Sequence, residues 1–466
     1  MPRRRVHPFL EESMRNGMCA FSTLAVAAVL CAMVACSSST SNPADIVTAD
    51  TCGAACLDVP GDVPADVVTD LPADELAPDV PADVLPELPA AEPSCFGDIC
   101  AADPTHVPVP TEFGPFPVGV SRQTFIDPNN PNADGTPRVL VTEFWYPTTE
   151  EYRGKPGYAY DIKADGTDAL REKYKDVDLG IFPCEAVWGA PVRVGESPWP
   201  LVLFSHGAYG IRYQSVFFTV MLASHGYVVM APDHQGNTLY EIMVQGYDGA
   251  ALVDSAERRP KDLEYMLDAM ALKVKDPADP FYGRVDTNNA ASTGHSFGGL
   301  TSYAITGDPR IKAIVPMAPE ASMVDLLAPN FGSPNIEDLV LPTLMMGGLL
   351  DHTLNYTTSM WDPWNSQKPP KWFLTINRAG HYSFTDICRM NLAGVADLWG
   401  DAKDAMKDGC DPVNNWDFHE TQKAVNHYAI SFLNRFMRGS TGSADYLTQE
   451  SGAVYGDEIV FHAAPQ

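Results

Sequence analysis

The sequence predicts an α/β protein with a mostly parallel central sheet flanked by helices. Short, nearly continuous apolar runs lie between turn signals, as expected for strands buried on both faces. Helical stretches separate these runs, and this alternation favours strand–helix–strand units with parallel strands. The predicted strands are 139–146, 201–205, 227–231, 290–294, 313–318, 343–346 and 372–376.

Two longer segments have the spacing of amphipathic helices. Each carries apolar residues three or four positions apart, which places them on one helix face. We interpret both faces as core packing. In 255–274 the apolar residues are Leu263, Met266, Leu267 and Met270. In 420–438 they are Ala424, Tyr428, Ile430, Phe432 and Phe436.

Residues 1–35 have the features of an export signal. Basic residues at positions 3–5 precede an apolar run over 18–35, which ends in small residues and a polar Ser/Thr stretch. Residues 33–36 read Met-Val-Ala-Cys and resemble a bacterial lipobox, in which the cysteine is acylated after cleavage. We therefore expect lipidation of Cys36. The residue after it is Ser37 and not aspartate, and by resemblance to other bacterial lipoproteins this implies an outer-membrane-anchored lipoprotein. The alternative is a secreted protein with an incidental cysteine.

Residues 36–104 are predicted to form a disordered tether between this signal and a globular domain over 105–440. Positions 37–104 contain no Lys or Arg and are rich in Pro and Asp. Proline blocks regular hydrogen-bond ladders and like charges repel, so a packed core is not expected there. Residues 441–466 are predicted as a C-terminal tail. The formal net charge of −29 argues against a nucleic-acid partner, because nucleic acid is itself polyanionic.

Seven cysteines remain after the signal and the lipidated Cys36 are set aside. In an oxidising compartment most of them should pair. Their spacing is not that of a zinc site, and neither a metal nor a cofactor is expected. The expected pairs are Cys52/Cys56, Cys95/Cys100 and Cys388/Cys410, and Cys184 is expected to stay a free thiol.

Residues 294–298 read Gly-His-Ser-Phe-Gly and fit the pattern G-x-S-x-G. A predicted strand precedes them and a helix-forming run follows, which is the context of the nucleophilic serine in the α/β-hydrolase fold. The flanking glycines are needed because a Cβ would collide with the neighbouring strand and helix. A phosphate-binding turn is the alternative, but no lysine follows as in a P-loop. The sequence therefore predicts Ser296 as a nucleophile.

A serine hydroxyl is a weak nucleophile and needs a base that is oriented by an acid. In this fold the chain order is serine, acid, histidine. His381 lies just beyond the last predicted strand and is the predicted base. Asp351 follows the strand 343–346, at the edge where catalytic groups collect in parallel sheets, and is the predicted acid. Glu320, which follows the preceding strand, is the alternative acid.

Two backbone N–H groups are predicted to hold the oxyanion of the tetrahedral intermediate. One belongs to Phe297, directly after the nucleophile, and the other to Ala208 in the turn after strand 201–205. Substrate contacts are expected from Tyr209 and from the aromatic stretch that contains Trp361 and Trp364. The alternative for the two tryptophans is a surface loop whose rings face the core.

Several segments match a known group. They are Phe-Gly-Pro-Phe-Pro-Val-Gly-Val at 113–120, Phe-Trp-Tyr-Pro at 144–147, Pro-Leu-Val-Leu-Phe-Ser-His-Gly at 200–207, Leu-Ala-Ser-His-Gly-Tyr-Val-Val at 222–229 and Ala-Pro-Asp-His at 231–234, with the serine motif. Together they resemble the platelet-activating factor acetylhydrolases and the bacterial dienelactone-hydrolase-like serine esterases. The resemblance covers about 110–385 and implies an α/β-hydrolase fold and ester hydrolysis.

One stretch departs from the acetylhydrolases, which place their acid shortly after the strand that follows the nucleophile. Residues 315–319 read Val-Pro-Met-Ala-Pro and contain no carboxylate. Residues 341–351, which end at Asp351, are instead similar to cutinase-like polyester hydrolases, whose acid falls at this later strand. That resemblance supports Asp351 and weakens any transfer of phospholipid specificity.

Taken together, the residues predict a serine hydrolase that cleaves small-molecule or lipid carboxylic esters through an acyl-enzyme. The predicted triad is Ser296, His381 and Asp351. Two alternatives remain open: a peptidase or amidase on the same fold, and a non-catalytic surface lipoprotein that binds a ligand.

Overall fold

The structure is a computed structural model that describes residues 95–96, 99–100, 109–195, 197–389 and 407–466. The predicted signal, Cys36, and the Cys52/Cys56 pair lie outside the described residues, as does nearly all of the predicted tether. Within the described residues, no helix combines the length and apolar character needed to cross a bilayer.

Fourteen strands form in the described residues. In chain order they are β1 (Cys95–Phe96), β2 (Ile99–Cys100), β3 (Val118–Asp127), β4 (Arg138–Pro147), β5 (Ala159–Asp161), β6 (Ile181–Pro183), β7 (Val187–Trp188), β8 (Trp199–Ser205), β9 (Val228–Pro232), β10 (Val285–His295), β11 (Ile311–Met317), β12 (Thr343–Gly348), β13 (Lys371–Ile376) and β14 (Ile459–Ala464).

Nine α-helices are described. They are α1 (Ile162–Asp165), α2 (Asp168–Lys173), α3 (Val216–Ser224), α4 (Leu239–Gln245), α5 (Gly249–Lys273), α6 (Phe297–Ala304), α7 (Val324–Leu327), α8 (Asp362–Ser366) and α9 (Phe418–Met437). A π-helix, Tyr356–Trp361, runs into α8, and a 3-10 turn spans His381–Phe384.

A ten-stranded sheet in the order β14-β13-β12-β11-β10-β8-β9-β4-β3-β7 organises the domain. The six strands from β13 to β9 in this order pair in parallel, whereas β4 and β14 are antiparallel to their neighbours β9 and β13. The predicted fold class, a mostly parallel sheet flanked by helices, is therefore confirmed.

The C-terminal segment differs from the expectation. Residues 441–466 were predicted as a tail, but β14 pairs with β13 over six residues, from Lys371↔Ala464 to Ile376↔Ile459. Ile459 and Phe461 of β14 are buried and Val460 between them is exposed, as expected for an edge strand with one covered face. The apolar run in β14 is short, and its partner strand β13 lies far away in the sequence. The sequence alone therefore does not distinguish this strand from an unpaired tail.

The two predicted helical stripes pack as expected. In α5, Leu263, Met266, Leu267 and Met270 are all fully buried. In α9 the predicted stripe is buried except for Phe436, which is partly buried against the same core. Burial of these faces fixes the helices against the sheet and supplies a rigid support for the loops at its edge.

The parallel strands end at one common edge of the sheet, as strand direction requires. β10 ends directly before Ser296, and β8 ends directly before His206. Glu320 follows β11, Asp351 follows β12 and His381 follows β13, each within five residues of its strand. The residues for which the sequence predicted chemistry therefore collect at this edge.

Candidate active site

Ser296 occupies a sharp turn between β10 and α6. Its backbone has φ 55° and ψ −117°, a region that L-residues rarely adopt and that costs about 1–3 kcal/mol. A Cβ on Gly298 would lie 1.9 Å from the carbonyl oxygen of Ser205, and one on Gly294 would lie 2.4 Å from the same atom. The neighbouring strand therefore excludes side chains on both sides of the turn. Ser296 itself is only half-buried, so its hydroxyl remains reachable.

His381 and Asp351 form a buried pair on adjacent loops. His381 Nδ1 donates to Asp351 Oδ2 at 2.7 Å, and both side chains are almost fully shielded from solvent. Burial by itself would lower the pKa of His381, but the Asp351 carboxylate, with Asp408 and Glu320, outweighs it, so the net shift is upward. The same bond fixes the imidazole tautomer and leaves Nε2 as the nitrogen that can accept a proton.

The alternative acid has other partners. Glu320 accepts hydrogen bonds from the hydroxyl groups of Ser322 and Ser359. Asp386, another carboxylate close to His381 in the sequence, accepts the backbone N–H of Phe217 at 2.9 Å and pairs with Arg389 at 3.1 Å. Between Asp351 and Glu320, the geometry therefore favours Asp351.

The serine turn is tied to the histidine loop by a relay of side chains that sequence reasoning missed. His295 Nε2 donates to the carbonyl oxygen of His381 at 2.9 Å, and Gln214 Nε2 donates to His295 Nδ1 at 3.1 Å. Gln214 Oε1 in turn accepts the N–H of Gly207 at 3.0 Å. Burial, followed by the nearby His381, lowers the pKa of His295 well below its usual value, so the ring is neutral and can donate and accept as this relay requires.

The turn after β8 presents a backbone donor. The N–H groups on either side of Ala208 have acceptors: Gly207 donates to Gln214, and Tyr209 donates to Asn237 Oδ1 at 3.3 Å. Ala208 is exposed, and its own N–H has no acceptor among the described residues. Phe297 is the first residue of α6, a position whose N–H has no intrahelical acceptor. Both predicted oxyanion donors are thus free to take a ligand.

A buried arginine holds this turn in place. Arg259 donates through Nη1 to the carbonyl oxygen of His206 at 2.6 Å and through Nη2 to that of Gly207 at 2.9 Å. Its guanidinium also lies 4.4 Å from the centroid of the Phe297 ring. One fully buried cation therefore contacts both segments that carry the predicted donors.

A second Ser–His–Asp array lies directly behind the turn. Ser205 Oγ donates to His234 Nε2 at 2.8 Å, and His234 Nδ1 donates to Asp262 Oδ2 at 2.8 Å. Arg138 grips both carboxylate oxygens of Asp262, at 2.5 and 2.6 Å. All three members are fully buried, so no substrate can reach them. The array instead braces the end of β8, and the His234 N–H donates to His206 Nε2 at 3.1 Å.

The residues predicted to contact substrate fall into two groups. Tyr209 is half-buried beside the predicted oxyanion turn, with its ring centroid 5.7 Å from that of the exposed Tyr247. Trp361 and Trp364 stack on each other at 5.3 Å, and each lies 5.7 Å from Phe373 of β13. Trp364 is buried. Trp361 is half-buried, and both rings pack toward the sheet as in the alternative interpretation. Substrate contacts through Tyr209, Trp361 and Trp364 stay predictions.

The cysteine predictions can be compared where the structure describes side chains. Cys388 and Cys410 form the expected disulfide, and Cys184 is a buried free thiol, also as expected. Burial raises the pKa of Cys184 to about 12, so it remains protonated and unreactive. The side chains of Cys95 and Cys100 lie outside the described residues.

Two protein families match successive parts of the chain. Residues 105–245 match platelet-activating factor acetylhydrolase, isoform II, and residues 211–399 match the PET hydrolase-like family. Neither match extends over half of the chain, and the two overlap over 211–245, which contains Gln214 and Asn237, two hydrogen-bond partners of the turn after β8.

Individual proteins agree with these matches. Platelet-activating factor acetylhydrolase of Canis lupus familiaris is 25% identical over 202 residues, which are 36% of this chain and 44% of that protein. Cutinase est1 of Thermobifida alba is 27% identical over 186 residues, 39% of this chain and 53% of that protein. The chain thus spans about half or less of the length of these relatives.

A solved structure supports the architecture. The ferulic acid esterase from Streptomyces cinnamoneus superposes with a TM-score of 0.54 at 22% identity, covering 74% of this chain and 96% of that one. At this identity the similarity concerns the fold alone. The sheet order, the strained serine turn and the two family matches together show an α/β-hydrolase fold that is similar to the platelet-activating factor acetylhydrolase and PET hydrolase-like families.

Proposed function

We propose that this chain is a serine esterase in which Ser296 is the nucleophile, His381 the general base and Asp351 the acid. The observation that carries the proposal is the position of a strained, half-buried serine beside a buried His–Asp pair. The residue before the serine is hydrogen-bonded to the backbone of that histidine at 2.9 Å. Further support comes from the chain order serine, acid, histidine and from the 2.7 Å bond between His381 Nδ1 and Asp351 Oδ2.

The reaction proceeds in two acyl-transfer steps. His381 Nε2 takes the proton of Ser296 as the hydroxyl oxygen attacks the ester carbonyl, and the oxyanion is held by the N–H groups of Ala208 and Phe297. The imidazolium then returns the proton to the leaving alcohol, which gives the acyl-enzyme. Water attacks this ester, again with His381 as base, and releases the carboxylic acid. Asp351 stabilises the imidazolium in both steps without being protonated.

The proposed substrates are carboxylic esters. The matched relatives are named platelet-activating factor acetylhydrolase and cutinase, and the second matched family is named PET hydrolase-like. These names share the hydrolysis of carboxylic esters and do not point to one acyl or alcohol group. The acetylhydrolase match ends at residue 245 and includes Ala208, whereas the PET hydrolase-like match begins at residue 211 and includes the proposed triad. Each family therefore matches a different part of the proposed site.

Covalent labelling tests the nucleophile. A fluorophosphonate probe should label the wild-type protein once, as read by intact mass, and should fail to label Ser296→Ala. Ser322→Ala, which changes an exposed serine on the loop after β11, should label like wild type. Labelling that survives in Ser296→Ala would place the nucleophile elsewhere.

A substrate panel tests the reaction class. Nitrophenyl esters of two to twelve carbons should be hydrolysed, and the matched nitroanilides should react far more slowly. Preference for the anilides would favour a peptidase or amidase. A folded protein that turns over neither set and resists the probe would indicate a binding protein.

We also propose that the protein is exported and anchored to the outer membrane through lipidated Cys36. Support comes from the basic start, the apolar run and the lipobox-like residues 33–36. In a bacterial host, an alkyne-fatty-acid label should be incorporated by the wild-type chain and lost in Cys36→Ser. Cys52→Ser should keep the label, and equal labelling of all three chains would refute lipidation at this position.

A further inference from the structure

Asp408 lies between the two loops that carry the candidate acid and base. Its Oδ1 accepts the backbone N–H of His381 at 3.1 Å. Its Oδ2 accepts the N–H of His352 at 3.0 Å, and both the N–H and the hydroxyl of Thr353, at 2.9 and 2.8 Å. One buried carboxylate thus receives four donors from two loops that are adjacent to each other at the sheet edge.

The bond pattern divides the two oxygens between the two loops. Among the described residues, Oδ1 accepts from the histidine loop and Oδ2 accepts from the two residues that directly follow Asp351. The N–H of Thr353 is shared, because it also donates to Asp351 Oδ1 at 2.9 Å. The length of the His381–Asp351 bond is therefore constrained from the main chain as well as from the side chains.

The segment that carries Asp408 is itself fixed. The disulfide Cys388–Cys410 joins it to the chain just after His381, and Asp408 also accepts the N–H of Tyr382 through its carbonyl oxygen at 2.8 Å. A carboxylate on so constrained a segment can act as a rigid bracket. The four donors and the nearby disulfide distinguish Asp408 from a solvated surface carboxylate, whose hydrogen bonds are made mostly to water.

We propose that Asp408 is a positioning residue that holds the acid loop and the base loop in register for proton transfer. This inference rests on the ester hydrolysis proposed above and adds to it a residue outside the triad. Asp408 contacts the backbone of His381 and not its imidazole, so it acts through the triad and touches no reacting atom.

Asp408 also adds charge to the site. The groups that face His381 are the carboxylates of Asp351, Asp408 and Glu320, and the neutral His295. Burial lowers the pKa of His381, and the three carboxylates raise it in the order given. Removal of the Asp408 charge therefore lowers this pKa. Since the base must be neutral to accept a proton, the acidic limb of the rate profile moves to lower pH.

The test uses Asp408→Asn in the full chain. This variant keeps the size and shape of the Asp408 side chain but replaces one carboxylate oxygen with an N–H₂ group. That group is a donor and faces backbone N–H donors that have lost their acceptor. At plateau pH, kcat for a nitrophenyl ester should fall by about 100-fold, the loss associated with a 1 Å misplacement of a catalytic group, while KM changes little. The acidic limb should move to lower pH, and the NMR titration of the His381 ring should show the same shift.

The matched control is Asp411→Asn. Asp411 lies three residues away on the same segment, where its carboxylate accepts the N–H of Val413 at 2.9 Å and the side chain of Asn414 at 2.7 Å. This variant should keep the wild-type plateau and titration. A lower plateau with an unmoved pH limb in Asp408→Asn would indicate general destabilisation and would overturn the positioning role.

The remaining outcomes separate the two proposals. If wild type is labelled at Ser296 and Asp408→Asn has normal rates, the positioning proposal fails and the esterase proposal stands. If wild type neither labels nor hydrolyses esters, both fail. If Asp408→Asn does not fold, Thr353→Val decides, because it removes one donor and keeps the charge. The plateau kcat of Thr353→Val should fall by less than the loss of about 100-fold expected for Asp408→Asn. A wild-type plateau in Thr353→Val would overturn the proposal.

Discussion

Replacement of Asp351 by asparagine should invert the tautomer of His381. The two oxygens of Asp351 have different partners: Oδ1 accepts the N–H groups of Thr353 and Leu354 at 2.9 and 2.7 Å, and Oδ2 accepts His381 Nδ1. In Asp351→Asn the amide oxygen must stay where the two N–H donors are. The amide N–H₂ group then faces the imidazole and donates to Nδ1, so the ring proton moves to Nε2. A protonated Nε2 cannot take the proton of Ser296.

The expected loss follows from this geometry. An uncharged site with the wrong tautomer costs about 10⁴-fold in kcat, or about 5 kcal/mol of transition-state stabilisation. KM should change little, because Asp351 is buried behind His381 and out of reach of the substrate. The assay is steady-state hydrolysis of nitrophenyl acetate at the plateau pH, combined with the rate of fluorophosphonate labelling.

The matched control is Glu320→Gln, which alters the alternative acid. Glu320 is bonded to Ser322 and Ser359, so the variant should keep kcat within about threefold, an effect below 1 kcal/mol. Because the Glu320 charge also raises the pKa of His381, the acidic limb should move slightly to lower pH. If Asp351→Asn keeps a tenth of the activity while Glu320→Gln loses nearly all of it, the assignment of the acid is refuted.

Three further outcomes are expected. In a pH profile of kcat/KM, the wild-type rate should rise with a midpoint above 6.5, the ordinary pKa of histidine, because the pKa of His381 is raised and only its neutral form accepts a proton. A midpoint below 6.5 would contradict this. Gly298→Ala should lower the melting temperature and abolish labelling, because its Cβ would lie 1.9 Å from the Ser205 carbonyl oxygen. The control Gly135→Ala, whose Cβ would meet nothing, should at most cost stability, and normal labelling of Gly298→Ala would contradict the tight turn. Arg259→Lys keeps the charge but loses the planar guanidinium that hydrogen-bonds two carbonyl groups of the turn after β8. We expect kcat to fall toward the 10²–10³-fold loss typical of one oxyanion donor, with KM nearly unchanged, and an unaffected kcat would show that the turn is held without the guanidinium.

Local pattern was sufficient for the parts of the site that depend on neighbours in sequence. The serine turn was predictable because a strand, a glycine-flanked serine and a helix start follow one another within the same short stretch. Asp351 and His381 were predictable because parallel strands end at a common edge, so the residue after each strand must lie there. The Cys388–Cys410 bridge was predictable because cysteines of an exported protein are expected to pair.

Other features depend on contacts between distant segments, which leave no periodicity to read. Asp408 reaches His352 across 56 residues, and Arg138 reaches Asp262 across 124. Such bonds form only when packing of the sheet and helices brings the segments together, and any polar residue in a loop would look the same beforehand.

The fold class, the serine turn and the order of the candidate triad follow from strand and helix periodicity and from chain order, so the amino-acid sequence was sufficient to predict them. The bond between His381 and Asp351, the pairing of β14 with β13 and the ring contacts of Trp361 and Trp364 with Phe373 exist only in the folded chain. Hydrogen bonds and burial depend on distance in space, and a residue's own sequence neighbours do not fix that distance.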